Sequence, residues 1–313
     1  MFTIANPLFM INETPLHAGS GEGLGIVDLP IQRERHSLFP KVESSSLKGA
    51  LREVFEQSTP GAKVELAFGP EEAGKHAHAG ALGFSDARLL LFPVKSMRGV
   101  FAWISCKKVL ETFERHMQVC DSAFSLKLPP GEPGENECWA LASNTLEVDG
   151  QILLEEYSFS RKSEIDSPVM LGEHPLGQWL LQQGISHPDS FWGQKLQHDI
   201  VLLNNTDFAD FVNLSCEVIT RIKIDNQTGT VAKGALFTEE YLPCESLLYS
   251  LVMASRVFLP KLKLEQAPLR TDQEVMQYFQ EGLPQLVQLG GNATLGKGLM
   301  QMRSPTCKKV KAS

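Results

Sequence analysis

The residues best suited to chemistry lie between positions 17 and 52 of this 313-residue chain. A glycine-rich loop at 19–25 is followed by one carboxylate, Asp28, among apolar neighbours. Glycine loops expose backbone N–H groups and allow a polyanion to approach closely. The segment therefore indicates a surface that binds a phosphate backbone and places one acid beside it. Its candidate phosphate-binding cations are Arg33, Arg35, Lys48 and Arg52.

A second glycine-rich loop, G-G-N-A-T-L-G-K-G, covers residues 290–298. It matches most of a P-loop, but Gly298 stands where a Ser or Thr is needed to bind Mg²⁺. The first loop lacks the last glycine of a dinucleotide motif, because Leu24 and Ile26 occupy the candidate positions. Both loops therefore favour backbone contacts with a polyanion, which Lys297 would help to neutralise. The structural alternative for the second loop is a tight turn between two strands.

A helix is predicted from Ser46 onward, because apolar residues recur at helical spacing from Leu47 to Phe55. The neighbouring serines are suitable N-cap residues, and free N–H groups at a helix start favour anions. Lys48 and Arg52 are four residues apart and so share one helix face. We expect this face to contact phosphates; the alternative is an ordinary solvated face.

The balance of acidic and basic residues indicates what kind of nucleic-acid binder this chain could be. Acidic residues outnumber basic ones by 37 to 29, which gives a net charge of −8. This balance argues against a free-standing nucleic-acid binder, whose footprint is usually basic. Positive charge is nevertheless concentrated near 33–35, 48–52, 221–223 and 308–311. The distribution favours a subunit that binds RNA within an assembly.

Targeting and membrane signals are absent from the sequence. The first residues have no basic segment before their apolar run, as a secretory signal would. No apolar stretch approaches the roughly 18 residues of a membrane span. We therefore expect a cytoplasmic protein without membrane contact. The six cysteines include no C-x-x-C pair, so neither a zinc site nor a disulfide framework is predicted.

Strands interleaved with helices, without a regular βαβ period, predict an α+β fold. A polar turn at 226–229 between two extended runs predicts a β-hairpin at 221–243. Long loops are expected at 18–43 and 58–80. The other predictions are an edge or bulged strand at 2–12, strands at 82–92 (ending at Pro93), 100–104, 217–224, 246–254 and 285–289, helices at 107–119 and 272–281, and mostly helix at 172–215.

Five segments, in the same order, resemble one known family. They are H-A-G-S-G-E-G-L-G-I-V-D-L-P-I-Q-R-E-R-H (17–36), S-S-L-K-G-A-L-R (45–52), F-S-D-A-R-L-L-L-F-P-V-K-S (84–96), G-A-L-F-T-E-E-Y-L-P (234–243) and L-G-G-N-A-T-L-G-K-G (289–298). Together they resemble the RAMP-type backbone subunit of type III-B CRISPR effectors, the fourth subunit of the Cmr complex.

The resemblance implies an architecture and an activity. It implies a single RAMP domain, 1–313, built from an RRM-like (ferredoxin-like) palm, a hairpin thumb at about 221–243 and a helical fingers insertion. Loop or helical insertions fall at about 58–80 and 121–200. Several copies would stack along one guide crRNA beside other subunits of the Cmr complex. Each copy would cleave the bound target RNA once, with Mg²⁺ or Mn²⁺.

The resemblance also implies roles for individual residues. Asp28 matches the catalytic aspartate, and His17, Glu239 and Tyr241 match positions that line the cleavage site. The helix at 45–52 and the second glycine loop would contact the guide. With the basic clusters and the hairpin included, the predicted RNA-binding residues are Arg33, Arg35, Ser46, Lys48, Arg52, Arg221, Lys223, Leu236, Phe237, Gly290, Gly291, Asn292 and Lys297.

Several alternatives stay open at this point. Asp28 could bind Mg²⁺ or Mn²⁺ through water, act as a general base, or simply cap backbone N–H groups. One carboxylate is few for a two-metal site, so we expect weak metal binding completed by the RNA phosphate. Leu236 and Phe237 are either wedges at a displaced base pair or ordinary hairpin packing. The whole chain could instead be a guide-binding scaffold without chemistry, a metal-independent guide-processing nuclease, or an NTPase that uses the second loop.

Overall fold

A large mixed sheet forms the centre of the protein. The computed structural model describes residues 2–23, 25–58, 61–71, 78–225, 227–260 and 265–305, except the side chains of 223 and 232–235. Its strands are β1 (Ile4–Asn12), β2 (Lys41–Val42), β3 (Leu82–Phe84), β4 (Ala87–Lys95), β5 (Phe101–Cys106), β6 (Leu126–Lys127), β7 (Glu137–Ala140), β8 (Gln151–Leu154), β9 (Tyr157–Arg161), β10 (Met170–Leu171), β11 (His174–Pro175), β12 (Ile200–Leu203), β13 (Glu217–Ile224), β14 (Val231–Tyr241), β15 (Leu247–Ala254), β16 (Leu286–Gln288) and β17 (Leu299–Arg303).

The main sheet has the order β16-β17-β1-β15-β4-β5-β12-β7-β9-β8, with β2 added to β4 and β3 to β15. Most pairs are antiparallel, but β12 runs parallel to β5 and β7 parallel to β9. Strands β6, β10 and β11 form a small second sheet, and β13 pairs with β14 alone.

Helices complete the predicted α+β class, which is confirmed. They are α1 (Ser44–Ser58), α2 (Ala62–Phe68), α3 (Lys107–Cys120), α4 (Leu176–Gln182), α5 (Phe191–His198), α6 (Asn205–Leu214) and α7 (Asp272–Gly282), with a 3₁₀ turn at Ala293–Leu295. In the described part of the chain, no helix is long and apolar enough to cross a membrane.

The core lies on both faces of the main sheet. Side chains alternate along β1, so Leu8 points to one face and Phe9 to the other. On the Phe9 face, α3 packs through Phe113, whose ring centroid lies 6.3 Å from that of Phe9. On the Leu8 face, α7 packs through Phe279, whose ring lies 5.7 Å from that of Phe84. This burial leaves the sheet ends, rather than its faces, for function.

Two prolines lie inside strands, and both sequence predictions about them are wrong. The first strand is neither an edge strand nor bulged, because β1 lies between β15 and β17 and pairs with β15 without a register shift. Pro7 is tolerated because β17 pairs only with Phe9–Asn12 and does not reach it. Pro93 does not end its strand but pairs with Trp103. It lies beyond the residues of β4 that pair with β15.

The least accurate predictions concern the middle of the chain. Residues 121–200 contain six short strands, β6 to β11, beside the helices α4 and α5, so the range that the resemblance gives as a loop or helical insertion also contains strands. The mostly helical prediction for 172–215 omits β12, and the loop prediction for 58–80 omits α2. Strand β12 is a fully buried run of four residues. Such a short apolar run has no period that distinguishes strand from helix.

The predicted β-hairpin is confirmed and begins earlier than expected. Strand β13 pairs with β14 from Glu217, opposite Tyr241, to Ile224, opposite Val231. In the turn, the Asp225 carboxylate accepts the backbone N–H groups of the second and third residues after it, at 2.8 and 3.1 Å. Such an Asx turn fixes the reversal locally. The base of this hairpin reaches the site described next.

Candidate active site

Three segments meet at one end of the main sheet: the loop after β1, the connection from β14 to β15, and the glycine-rich loop between β16 and β17. Leu16 and Leu242 exchange two backbone hydrogen bonds, each 2.9 Å long. The Gly291 N–H donates to the carbonyl oxygen of His17 at 2.9 Å. The two glycine-rich regions of the sequence therefore form one continuous surface with the hairpin base.

Two glycines of the second loop are required by packing. Gly290 has φ 71°, and a Cβ there would lie 2.3 Å from the His17 carbonyl oxygen. Gly298 has φ 74°, and a Cβ there would lie 1.9 Å from the Leu289 carbonyl oxygen. Both conformations and both approaches exclude a side chain. The tight turn named as the structural alternative therefore accounts for these two positions, and RNA contact by the loop stays a prediction.

A buried carboxylate, Glu239, joins the hairpin to this loop. Its Oε2 accepts hydrogen bonds from the Tyr241 hydroxyl at 2.7 Å and from Arg221 Nε at 2.9 Å. Asn292 Nδ2 donates to Oε1 at 3.0 Å. Burial opposes ionisation, but the hydrogen bonds outweigh it and lower the pKa of Glu239. Both oxygens of the ionised Glu239 carboxylate thus accept hydrogen bonds. Glu239 holds the hairpin and the loop together and is not a base ready to accept a proton.

Tyr241 completes this cluster and is fully buried. Its hydroxyl also accepts from Asn292 Nδ2 at 2.9 Å and from Arg221 at 2.5 Å. Burial, together with the neighbouring Glu239 carboxylate, raises the pKa of Tyr241, so the phenol stays protonated at neutral pH. The Lys297 ammonium lies 4.9 Å from the ring centroid, a cation–π distance. Lys297 forms no ion pair with any residue that the structure describes.

His17 lies buried against the same cluster. Its Nδ1 is 2.8 Å from the carbonyl oxygen of Glu240, which can only accept, so Nδ1 carries the proton. The other ring nitrogen, Nε2, is therefore the one left to contact a ligand. Two glycines line this side of the ring: a Cβ at Gly19 would lie 2.8 Å from Nε2, and one at Gly291 would lie 3.3 Å from Cδ2. At these two positions, therefore, only backbone atoms border the edge of the His17 ring.

Asp28 lies at the edge of the hairpin and is exposed, although its sequence neighbours are apolar. Its Oδ2 accepts from the Thr238 N–H at 2.8 Å and from the Thr238 hydroxyl at 2.9 Å. These two hydrogen bonds hold the pKa of Asp28 below its usual range. Oδ1 has no hydrogen-bond donor among the residues described. Asp28 therefore caps a backbone N–H with one oxygen and keeps the other for solvent or a ligand.

Asp28 and the Glu239 cluster occupy different sides of the same strand. Asp28 is bonded to Thr238, and successive side chains of a strand point to opposite faces. The structure therefore brings His17, Glu239 and Tyr241 into one cluster and places Asp28 beside it, at the strand edge. Thr238 was missed by the sequence reasoning. The only available signal is its position directly before Glu239 in a segment that carries the family resemblance.

The donor set near Asp28 fits a loosely held divalent ion only. Among the described residues, no group of three or more His, Cys, Asp or Glu side chains could surround a metal. Mg²⁺ needs about six oxygen ligands, and the protein offers the free Oδ1 of Asp28. The remaining ligands would have to come from water and from a bound phosphate.

The predicted guide-binding helix begins at Ser44, two residues earlier than predicted. Its first N–H donates to the Asp86 carboxylate at 2.9 Å, so an acid from another segment caps the helix in place of the serines. Lys48 and Arg52 do share a face, as predicted, and Ser46 is exposed. Burial and the nearby Arg52 charge lower the pKa of Lys48, whose ammonium donates to the Leu82 carbonyl at 3.1 Å.

The predicted phosphate-binding cations differ in where the structure places them. The Arg33 guanidinium points inward: it pairs with Glu240 and donates to the carbonyls of Leu38 and Val212 at 2.7 and 3.1 Å. Arg33 therefore anchors its loop to the hairpin. Arg35 is exposed and makes no ion pair with a described residue.

The hairpin residues fall on two faces. Phe237 lies on the face of Glu239 and Tyr241, while Leu236 lies on the opposite face, across from Ile222. Leu236 is 65% exposed and Ile222 54%, so neither is buried by hairpin packing. Arg221 is committed to the Glu239 cluster. The side chain of Lys223 lies outside the described residues.

The chain belongs to the RAMP superfamily, whose pattern it matches over residues 12–301. The superfamily resemblance seen in the sequence is thereby confirmed.

Within that superfamily, two curated relatives match nearly the whole chain. The chain is 33% identical over 296 residues to the CRISPR system Cmr endoribonuclease Cmr4 of Pyrococcus furiosus, covering 92% of each protein. It is 25% identical over 319 residues to the CRISPR system CMR subunit Cmr4 of Saccharolobus solfataricus, covering 96% of this chain and 97% of the relative.

Solved structures share the fold. Oligomeric Cmr4 from Pyrococcus furiosus matches with a TM-score of 0.70 and 24% identity, over 98% of this chain and 100% of that one. A chain of the type III-B Cmr-beta complex bound to cognate target RNA matches with a TM-score of 0.71 and 19% identity, over 97% and 98%.

Proposed function

We propose that this chain is a backbone subunit of a type III-B CRISPR effector that oligomerises along a guide RNA and cleaves complementary target RNA. The observation that carries the proposal is the exposed Asp28 carboxylate, fixed at the hairpin edge in a chain 33% identical to a Cmr endoribonuclease. Its partners are the guide crRNA, the target RNA, further copies of itself and other Cmr subunits. It acts in the cytoplasm.

In this proposal the main sheet is an RRM-like palm and the hairpin β13–β14 is the thumb. The thumb displaces one nucleotide of the target strand at each subunit. The exposed Leu236 and Ile222 are suited to contact an unstacked base there. A displaced nucleotide can adopt the in-line geometry that 2′-OH attack requires, whereas a stacked duplex restrains it.

The cleavage step is attack of a target 2′-oxygen on the adjacent phosphorus. The new O2′–P bond forms as the P–O5′ bond breaks. The 2′-OH proton passes to solvent water and the departing 5′-oxygen takes a proton from solvent water, which leaves a 2′,3′-cyclic phosphate and a 5′-hydroxyl. Asp28 is ionised at neutral pH, and its hydrogen bonds with Thr238 hold its pKa below the ordinary value of 3.8. A carboxylate of lowered pKa is a weak base, so we assign Asp28 to orienting the 2′-OH through Oδ1.

Mg²⁺ or Mn²⁺, when bound, would neutralise the charge that develops on the phosphate. Oδ1 of Asp28 is the protein oxygen proposed to contact the hydrated ion. The ion would bind weakly without RNA, since the other ligands come from the target phosphate and water.

Guide binding is assigned to groups that contact phosphates and therefore carry no sequence preference. These are Lys48, Arg52 and Ser46 on α1, Arg35, and the loop residues Gly290, Gly291, Asn292 and Lys297. Sequence specificity then comes from base pairing between guide and target.

The experiment is a cleavage assay with the complex reconstituted around this chain. End-labelled RNA complementary to the guide should be cut at regular intervals in Mg²⁺, and non-complementary RNA should stay intact. Cleavage that continues unchanged in EDTA would support a metal-independent nuclease and contradict the proposal. ATP hydrolysis abolished by Lys297→Ala would support the NTPase alternative.

One observation favours a second function, a guide-binding scaffold whose partner does the chemistry. Oδ2 of Asp28 caps the Thr238 N–H, which is a sufficient structural role for a loop aspartate. The scaffold function predicts that an Asp28→Ala complex binds and cuts target RNA as the wild type does.

A further inference from the structure

Thr238 makes three hydrogen bonds to Asp28, which lies 210 residues away in sequence. Its N–H and its hydroxyl both donate to Oδ2, at 2.8 and 2.9 Å. Its hydroxyl oxygen also accepts the Asp28 N–H at 3.0 Å. One residue therefore fixes both the backbone and the carboxylate of Asp28, and it leaves the second carboxylate oxygen unused.

The same contact fastens the Asp28 loop to the outer edge of β14. Leu29 N–H donates to the Thr238 carbonyl, and Glu240 N–H donates to the Leu29 carbonyl, both at 3.0 Å. Ile31 N–H donates to the Glu240 carboxylate at 2.9 Å. Residues 28–31 thus run beside β14, with Leu29 paired to Glu239 in an isolated parallel bridge. Any displacement of the hairpin base would carry Asp28 with it.

We propose that Thr238 is a positioning residue for target cleavage, which sets the side-chain orientation of Asp28 and ties it to the hairpin that displaces the target nucleotide. This inference rests on the proposed function and deepens it. Thr238 touches Asp28 and not the reacting atoms, so it acts through Asp28 alone.

Neighbouring charges offer no substitute for this contact. On the hairpin, Glu239 is bonded to Arg221, and Glu240 is paired with Arg33 from the Asp28 loop. Hydrogen bonds from the Thr238 N–H and from its hydroxyl lower the pKa of Asp28, against a smaller opposing effect of burial. The orientation of Asp28 therefore depends on the Thr238 hydroxyl, which a single substitution removes.

The chain offers a matched control. Thr220 lies directly across the hairpin from Thr238 and points to the same face. It is exposed and makes no hydrogen bond to Asp28. Thr238→Val removes the hydroxyl and keeps the shape, Thr238→Ser restores a hydroxyl, and Thr220→Val makes the same chemical change without touching Asp28.

The experiment compares these variants in the reconstituted complex by single-turnover target cleavage. Losing the hydroxyl contacts should slow Thr238→Val cleavage roughly threefold to tenfold, with target binding unchanged. Thr238→Ser and Thr220→Val should behave as the wild type.

A second readout does not depend on cleavage. In the full chain labelled with ¹³C-aspartate, the carboxyl resonance absent from Asp28→Asn identifies Asp28. Its chemical shift at neutral pH should change in Thr238→Val and stay in place in Thr220→Val. A Thr238→Val complex with the wild-type rate, or an Asp28 carboxyl resonance that does not move, would overturn the inference while leaving the proposed function intact. A wild-type complex that does not cut at all would overturn both.

Discussion

Replacing Glu239 with Gln tests whether the buried cluster braces the site through a charge. Glu239 accepts from three donors, and its side chain is only 8% exposed. A hydrogen bond to a charged group contributes about 1 kcal/mol more than a neutral one, so three of them amount to about 3 kcal/mol. Arg221 loses its partner in this variant. Because its side chain is 26% exposed, hydration by water offsets part of the lost free energy. We expect a loss of about 2 kcal/mol in the free energy of unfolding.

The assay is urea unfolding of both proteins at neutral pH and in steps below pH 4.5. The pKa of Glu239 is lowered in the folded state from its ordinary value of 4.5. Its charge therefore stabilises the fold above that pH, and the contribution is lost as the pH falls through the folded-state value. The gap between wild type and Glu239→Gln should shrink in acid. Glu53→Gln, a change at an exposed glutamate of α1, is the control.

A gap below about 0.5 kcal/mol at neutral pH would refute the reasoning, since that is the range of ordinary surface substitutions. A gap of constant size at every pH would refute it as well, because it would show that shape rather than charge is what the cluster requires.

Three further predictions concern the loop, the helix and the hairpin. In urea unfolding, Gly298→Ala should destabilise the protein by more than about 2 kcal/mol, because the Cβ would lie 1.9 Å from the Leu289 carbonyl oxygen. Gly296→Ala, where φ is 71° but the space is open, should destabilise it by only about 1 kcal/mol. Lys48→Gln and Arg52→Gln should each weaken guide binding equally for all sequences and reduce the slope of log K against log salt by about 0.7 in filter binding; an unchanged slope would remove that side chain from the phosphate contacts. Leu236→Ala should change the free energy of unfolding by less than about 0.5 kcal/mol, because the side chain is 65% exposed, yet slow target cleavage. A loss of stability with normal cleavage would make Leu236 a packing residue.

Local patterns in the sequence predicted most of the fold. The helices α1, α3 and α7 and the hairpin lie within a few residues of their predicted bounds, because amphipathic spacing and turn chemistry are local signals. The position of β1 in the sheet was not predictable, since it depends on β17, almost 300 residues away. Strand β12 was hidden for a different reason: it is a buried four-residue run between two helices.

The site was predictable in composition and not in arrangement. The motifs identified His17, Glu239 and Tyr241, which the structure brings together. They also suggested that Arg33 binds phosphate, whereas folding places the Glu240 carboxylate beside it. Thr238 and Asp86 were invisible as partners of Asp28 and α1, because both contacts join segments that are distant in sequence. Contacts between such distant segments leave no periodic pattern or motif spacing in the sequence from which they could be predicted.

The central claim is that Asp28 takes part in target cleavage by this chain. The most direct measurement is cleavage of labelled, guide-complementary RNA by complexes containing the wild type or Asp28→Asn, with target binding measured in parallel. The amide keeps the size of the side chain and an acceptor for Thr238, and it removes the charge. We expect the regularly spaced, metal-dependent cuts to disappear while binding is retained. Cuts at the same positions and rate in Asp28→Asn would contradict the account and assign the chemistry to another subunit.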